Sequence, residues 1–97
     1  MVKVGLLAKI VAKPGQEDTV AGFLAGAVEL ARQEGKTVTW YAFRVSEAEF
    51  GVFDTFEGDD GRDAHLSGPI AAALMANADA LLAEPPSIRK IDVLAAK

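Results

Sequence analysis

The spacing of apolar residues changes in a fixed order along the chain, and this order limits the folds available to it. From Val4 to Ala12 the residues are short, apolar and rich in aliphatic types, and Lys13-Pro14-Gly15 then signals a turn. This stretch predicts a strand. From Gln16 to Glu34 the larger apolar side chains recur at the spacing of one helical face, which predicts a helix that Gly35 ends.

The middle of the chain predicts a β-hairpin. Thr37–Val45 and Phe50–Phe56 are rich in β-branched and aromatic residues, which favour strands. The segment Ser46–Glu49 between them has the length of a hairpin loop. The two strands are therefore expected to pair antiparallel.

The register of this hairpin decides which side chains share a face of the sheet. Pairing Val45 with Phe50 across the loop places Tyr41 opposite Asp54, with both side chains on one face. Trp40 then points to the other face. A carboxylate between aromatic residues in mid-strand is costly unless it is paired or hydrated, so Asp54 is the unusual residue here.

The last third of the chain predicts a helix in two pieces and a final strand. Asp59-Asp60 offers an N-cap for a short helix through His65, and Ser67-Gly68-Pro69 restarts the helix with proline in its first turn. Pro85-Pro86 ends it, and Ile88–Leu94 predicts the last strand. The order predicts one α+β domain over residues 1–97, a ferredoxin-like βαββαβ fold with a four-stranded antiparallel sheet.

The first strand is apolar on both of its faces, and this predicts a second protein layer. One face carries Val4, Leu6, Ala8 and Ile10, and the other carries Gly5, Leu7 and Val11. The helices of this fold cover one face only, and the chain has no further residues from which to build another layer. Packing against a second copy would form a dimeric α+β barrel, so we predict a homodimer through the sheet faces.

Charge and composition exclude several partners. The net charge is −4, so the chain lacks the positive charge that usually provides nucleic-acid affinity. No stretch approaches the roughly 20 apolar residues of a spanning helix, so no membrane partner is predicted.

The absence of Cys fits a reducing compartment, and a cytoplasmic protein is expected. There is no phosphate-binding glycine loop and no His or Cys cluster with metal spacing, so neither a metal nor a cofactor is expected.

Two ionisable residues are candidates for chemistry, and each has a structural alternative. Asp54 could act as a general base, or orient one, with apolar surroundings raising its pKa. Alternatively it is a buried carboxylate that accepts hydrogen bonds from Tyr41 or the backbone. His65, the single histidine, lies between the two helical pieces and could carry a proton near neutral pH, or it could be a structural hydrogen-bonding residue. Trp40 and Tyr41 could stack on a planar ligand or belong to the core.

Three segments resemble the antibiotic biosynthesis monooxygenase family, which includes the quinol monooxygenases. They are Lys13-Pro14-Gly15-Gln16-Glu17 after the first strand, Phe53-Asp54-Thr55-Phe56 at the end of another, and Asp63-Ala64-His65-Leu66-Ser67-Gly68-Pro69. The likeness covers nearly the whole chain in order and spacing.

The resemblance implies a dimeric α+β barrel that oxidises a phenol or quinol with O₂ and without a cofactor. A base removes a proton from the electron-rich phenol, and the anion gives an electron to O₂ in a dry pocket. Carried over, His65 would be the base and Asp54 would orient it, with Trp40, Tyr41 and Phe56 lining the pocket for a small aromatic substrate. The family often has a second histidine just after the proline, and this chain has Ile70 there.

Two other functions remain open on the sequence. A non-catalytic dimeric module that binds a small aromatic ligand is compatible with the missing second histidine. Haem binding or degradation, which related dimeric barrels perform with an axial histidine, could use His65. However, Thr55 stands where those enzymes tend to have a tryptophan.

Overall fold

A computed structural model describes all residues from Met1 to Lys97 and contains one sheet and four helical segments. The elements in chain order are β1 (Val4–Val11), α1 (Glu17–Gly26), α2 (Val28–Gln33), β2 (Thr37–Arg44), β3 (Glu49–Phe56), α3 (Asp59–Leu66), α4 (Pro69–Leu81) and β4 (Ser87–Asp92). The sheet order is β2-β3-β1-β4 and every neighbouring pair is antiparallel. This is the ferredoxin-like α+β fold that the sequence predicts.

The long first helix is interrupted where the sequence predicts a continuous one. The α1 helix ends at Gly26 and α2 begins at Val28. The Ala27 N–H is shared between the carbonyls of Phe23 and Leu24, at 3.1 and 3.2 Å, so the backbone tightens at this point. Glycine at position 26 favours such a break because it stabilises a helix less than other residues do.

The predicted hairpin register is wrong by one residue. The last cross-strand pair is Arg44 with Phe50, not Val45 with Phe50. The Glu49 carbonyl accepts hydrogen bonds from the backbone N–H groups of both Val45 and Ser46, at 2.8 and 3.2 Å, so Val45 lies opposite Glu49. Glu49, which the sequence places in the loop, is the first residue of β3. A slip of one residue changes which side chains of the paired strands share a face.

This slip exchanges the two aromatic neighbours of Asp54. Trp40 is now directly opposite Asp54 on β3, and Tyr41 is opposite Phe53. Asp54 also pairs with Leu6 of β1, so its side chain belongs to the face that the helices cover. Tyr41 lies on the other face, and the predicted pairing of Tyr41 with Asp54 is corrected.

The core lies between the sheet and the helices. Its larger cluster joins β1, α1, β3 and α4 through the buried residues Ile10, Ala12, Val20, Leu24, Phe50, Val52, Leu74 and Leu82. A smaller cluster of Ala27, Ala31 and Ile70 closes the end near α2. Strands β1 and β3 approach closely at Gly5, where a Cβ atom would lie 2.6 Å from the Asp54 carbonyl oxygen. A residue with a side chain at position 5 would therefore displace the backbone that carries Asp54.

The other side of the sheet has no helix over it. We call it the open face and define it by the exposed apolar side chains of Leu7, Tyr41, Phe43 and Val45. The Phe43 ring lies over Gly51, where a side chain would collide with it. In the single chain Leu7 and Lys9 on this face of β1 are exposed, whereas Leu6 and Ile10 on the other face are buried. No helix has the length and apolar character needed to cross a membrane.

Candidate functional site

His65 and Asp54, the two ionisable residues singled out in the sequence, are in direct contact in the structure. His65 lies on α3 and is 7% exposed, whereas Asp54 lies in the middle of β3 and is 1% exposed. Their closest atoms are His65 Nε2 and Asp54 Oδ2, which are 3.0 Å apart. The helix and the strand each bring one proton-carrying group to the same interior point.

A second carboxylate, from Glu34, contacts the other ring nitrogen of His65. The distance from His65 Nδ1 to Glu34 Oε1 is 2.6 Å, and the same oxygen accepts a hydrogen bond of 2.9 Å from Thr37 Oγ1. Glu34 follows the last residue of α2, and its backbone is extended. Sequence reasoning missed Glu34 because nothing in its spacing separates it from surface glutamates. One signal was present, since a carboxylate at a helix C-terminus is opposed by the helix dipole.

The two carboxylates control the charge of His65. Burial is the largest single influence and by itself disfavours the imidazolium, but hydrogen bonds to Asp54 and Glu34, together with their negative charges, outweigh it. The net result raises the pKa of His65 from 6.5 to about 9. At neutral pH the His65 ring is therefore positively charged, and it lies between oxygens of Asp54 and Glu34.

A small apolar cavity adjoins this charged cluster. It has a volume of about 40 Å³ and is lined by Asp54 and His65 together with Leu6, Ala8, Phe23, Leu24, Val52, Leu66, Ile70, Ala71, Leu74 and Ile88. The second oxygen of Asp54, Oδ1, is buried and has no hydrogen-bond partner. An apolar cavity that holds benzene has about 150 Å³, so an aromatic ring enters only if lining side chains move.

The three aromatic residues predicted to line a pocket lie elsewhere. Trp40 packs against both core clusters, and its indole N–H is buried without a partner. Phe56 is fully buried, and its ring centroid lies 5.6 Å from that of His65. Tyr41 is on the open face, on the other side of the sheet. Ile70, at the position of the second histidine of the resembled family, does line the cavity.

The charged cluster does not have the arrangement of a metal centre. No group of three or more His, Cys, Asp or Glu side chains in the chain could hold a metal ion. Both nitrogens of His65 already face carboxylate oxygens within 3.0 Å. The cluster is therefore suited to holding and moving a proton.

The raised pKa of His65 predicts that the free energy of unfolding decreases as the pH rises from 6.5 to about 9. The folded protein binds the proton more tightly than the unfolded chain, so the stabilisation is complete below pH 6.5 and is lost above the folded-state pKa. A shift of this size corresponds to about 3 kcal/mol in the free energy of unfolding. Urea unfolding followed by circular dichroism, at half-unit steps from pH 5.5 to 9.5, would measure it.

The control for this prediction is H65Q. Because His65 is the single histidine in the chain, the variant should lose the decline between pH 6.5 and 9. A wild-type protein whose stability is level across that interval would contradict the proton assignment.

Comparisons with known proteins found relatives among solved structures. A scan against protein-family models gave no match, and neither did a search of curated proteins. NE2512, a protein of unknown function from Nitrosomonas europaea, is 52% identical with a TM-score of 0.98, covering 100% of this chain and 94% of that chain. Rv0793 from Mycobacterium tuberculosis is 17% identical with a TM-score of 0.85, covering 97% of each chain. An antibiotic biosynthesis monooxygenase is 18% identical with a TM-score of 0.81, covering 95% of this chain and 99% of that chain. The last two show a shared fold.

Proposed function

The chain belongs to the same protein family as NE2512 of Nitrosomonas europaea, and since that relative has no known function, we propose an activity from the site itself: oxygenation of a small phenol or quinol by O₂. The observation that carries the proposal is Asp54, a buried carboxylate at an apolar cavity with one oxygen free and the other held by His65. The shared fold of an antibiotic biosynthesis monooxygenase supports it.

The geometry favours Asp54 as the base and His65 as its partner, the reverse of the roles assigned from the sequence. An imidazolium has no free lone pair, and His65 stays protonated at pH values below about 9. Asp54 Oδ1 has no partner in the protein and can accept the proton of a phenolic hydroxyl. The positive charge of His65 then stabilises the negative charge that develops in the cavity.

The substrate supplies the electrons in this reaction. After the proton moves to Asp54, the phenolate is electron-rich enough to reduce O₂ in a site from which water is excluded. One oxygen atom forms a new C–O bond on the ring, and the other leaves as water. The quinol, which loses the four electrons that reduce O₂, is released as a hydroxylated quinone.

The open face supports the second part of the proposal, a homodimer. Its exposed apolar side chains, Leu7 on β1, Tyr41 and Phe43 on β2, and Val45 just after β2, are 38–59% exposed in the single chain. Large apolar side chains exposed together on one face of a sheet mark a contact site. The charged residues Lys9, Glu49 and Arg89 lie beside them. A second copy packed face to face would remove these side chains from water and leave each cavity, on the helical side, intact.

Oxygen uptake tests the activity. Purified, metal-free protein is mixed with a panel of small quinols and phenols, and O₂ is followed with an electrode. We expect protein-dependent uptake, and with ¹⁸O₂ the product should carry one labelled oxygen atom per ring. Uptake without label would indicate simple oxidation of the quinol, and no uptake with any compound would contradict the proposal.

Ile70, which lines the cavity where the resembled family often has a second histidine, favours a second candidate, a ligand-binding module without catalysis. At about 40 Å³ the cavity is much smaller than a phenol ring needs. A ligand that raises the unfolding temperature in a saturable way, with no O₂ uptake, would favour this function. Haem is less compatible with the site, because ligation by His65 would require it to leave Asp54 or Glu34.

A further inference from the structure

Glu34 occupies a position between the buried pair and the protein surface. Its side chain is 15% exposed, compared with 8% for the side chain of His65 and 2% for that of Asp54. It also borders a surface pocket that is formed by the α2–β2 turn and the start of α4, with Gly35, Lys36, Gly68 and Pro69 among its lining residues. Neither the sequence nor the proposed chemistry assigns Glu34 a role.

We propose that Glu34 is a positioning residue that fixes the orientation and charge of the His65 ring, so that Nε2–H always faces Asp54 Oδ2 and leaves Oδ1 free to accept the substrate proton. The effect of Glu34 on the rate of substrate turnover rests on the proposed function. Its structural part, the control of His65 by Glu34, is measurable without any substrate.

The hydrogen-bond geometry is the first argument for this role. A protonated imidazole has two N–H donors, and each of them has one carboxylate partner here, at 2.6 and 3.0 Å. With both donors engaged, the ring cannot turn over without breaking two charge-assisted hydrogen bonds. Asp54 by itself would hold only one side of the ring.

The charge around the ring is the second argument. The charged side chains in contact with His65 are Asp54 from β3 and Glu34 from the α2–β2 turn. On the cavity side the surroundings are apolar, with the Phe56 ring on β3 and the cavity residues Leu6, Ile70 and Leu74 from β1 and α4. On the other side, Lys36 lines the same surface pocket as His65, and its ammonium pairs with Asp60, 2.8 Å away. The second negative charge therefore comes from Glu34 alone, and it offsets the cost of burying the cation.

Loss of the charge on Glu34 would remove the positive charge beside Asp54. A neutral His65 has one N–H donor in place of two, so only one side of the ring remains held. Without the second carboxylate, His65 gives up its proton at lower pH. The charge that stabilises the developing phenolate is then lost, although Asp54 itself is unchanged.

The test compares E34Q with the matched control E29Q. Gln keeps the size of the Glu34 side chain and removes its charge, while Glu29 is an exposed residue of α2 whose carboxylate contacts Arg32 at the surface. Ring ¹⁵N chemical shifts report the single histidine directly. We expect the pKa of His65 to be lower in E34Q than in wild type and unchanged in E29Q.

Turnover should follow the same pattern. The alkaline limb of the pH–rate profile should move to lower pH in E34Q, with about a tenfold loss of kcat at pH 8, while E29Q keeps the wild-type profile. If E34Q does not fold, E34D retains the charge but shortens the reach to Nδ1, and its His65 should titrate below the wild-type pKa. A fold check by circular dichroism accompanies each variant.

An unchanged His65 titration in E34Q, or in E34D where that variant replaces it, overturns the inference. An equal change of the His65 pKa in E29Q also overturns it, because the loss of any one negative charge would then explain the effect. These readouts separate the two proposals. Absence of O₂ uptake by wild type contradicts the oxygenase function but leaves the titration test intact, whereas active E34Q with a wild-type pH profile contradicts only the role of Glu34.

Discussion

Replacing Asp54 by Asn is expected to lower turnover of a phenolic substrate by about 10²- to 10⁴-fold, the range that general acid–base groups contribute. Asn has the same shape as Asp, and its amide oxygen can still accept a hydrogen bond from His65 Nε2, 3.0 Å away in the wild type. It cannot take up a proton. The defect should therefore appear in kcat, measured by O₂ uptake, with the circular dichroism spectrum unchanged.

The matched control is D63N. Asp63 is an exposed residue of α3 on the helix that carries His65, so its replacement makes the same chemical change outside the site. D63N should retain wild-type turnover. D54N activity above about one tenth of wild type would remove Asp54 from the mechanism, because a missing base has a larger effect.

Replacing Tyr41 by Asp is expected to convert a dimer into a monomer. Tyr41 lies on the open face and is 59% exposed in the single chain. In a face-to-face dimer the new carboxylate would be buried without a partner in each subunit, at a cost of about 3–5 kcal/mol per charge. A cost of this size, incurred twice, raises the dissociation constant by more than about 10⁴-fold.

Sedimentation velocity at micromolar concentration measures this. The wild type should sediment at twice the chain mass of 10.2 kDa, and Y41D at the chain mass. Met75 on α4 provides the control, since it is 58% exposed but lies on the helical side, and M75D should remain dimeric. A wild-type monomer would contradict the dimer, and dissociation of M75D as well would show that the open face has no special role.

The fold could be predicted from the sequence because the spacing of apolar residues is a local property of the chain. A stretch such as Val4–Val11 can bury its side chains only as a strand, and Pro69 can only begin a helix or lie outside one. The order of such segments then leaves few topologies, and the observed four-stranded antiparallel sheet agrees with the predicted ferredoxin-like fold. Boundaries shifted by one or two residues without changing this result.

The candidate site could be predicted from the sequence only in part. Asp54 and His65 were found because each is a residue of unusual type for its setting, a carboxylate in a strand core and a single histidine in a helix. Tyr41 lies on the face opposite to Asp54 for a specific reason. The hairpin register depends on whether Glu49 joins the strand or the loop, and the hydrogen bond from the Val45 N–H to the Glu49 carbonyl decides this.

The sequence by itself determined the order of strands and helices, the two apolar faces of β1, and the presence of one buried carboxylate and one histidine. Only the tertiary structure decided that Asp54 meets His65, that Glu34 joins them from a distant turn, and that Tyr41 lies on the open face. The physical reason is the distance over which each property is set. Spacing along a chain reports which side a residue faces, whereas hydrogen bonds and pKa values depend on atoms within about 3–6 Å, and these come from segments far apart in sequence.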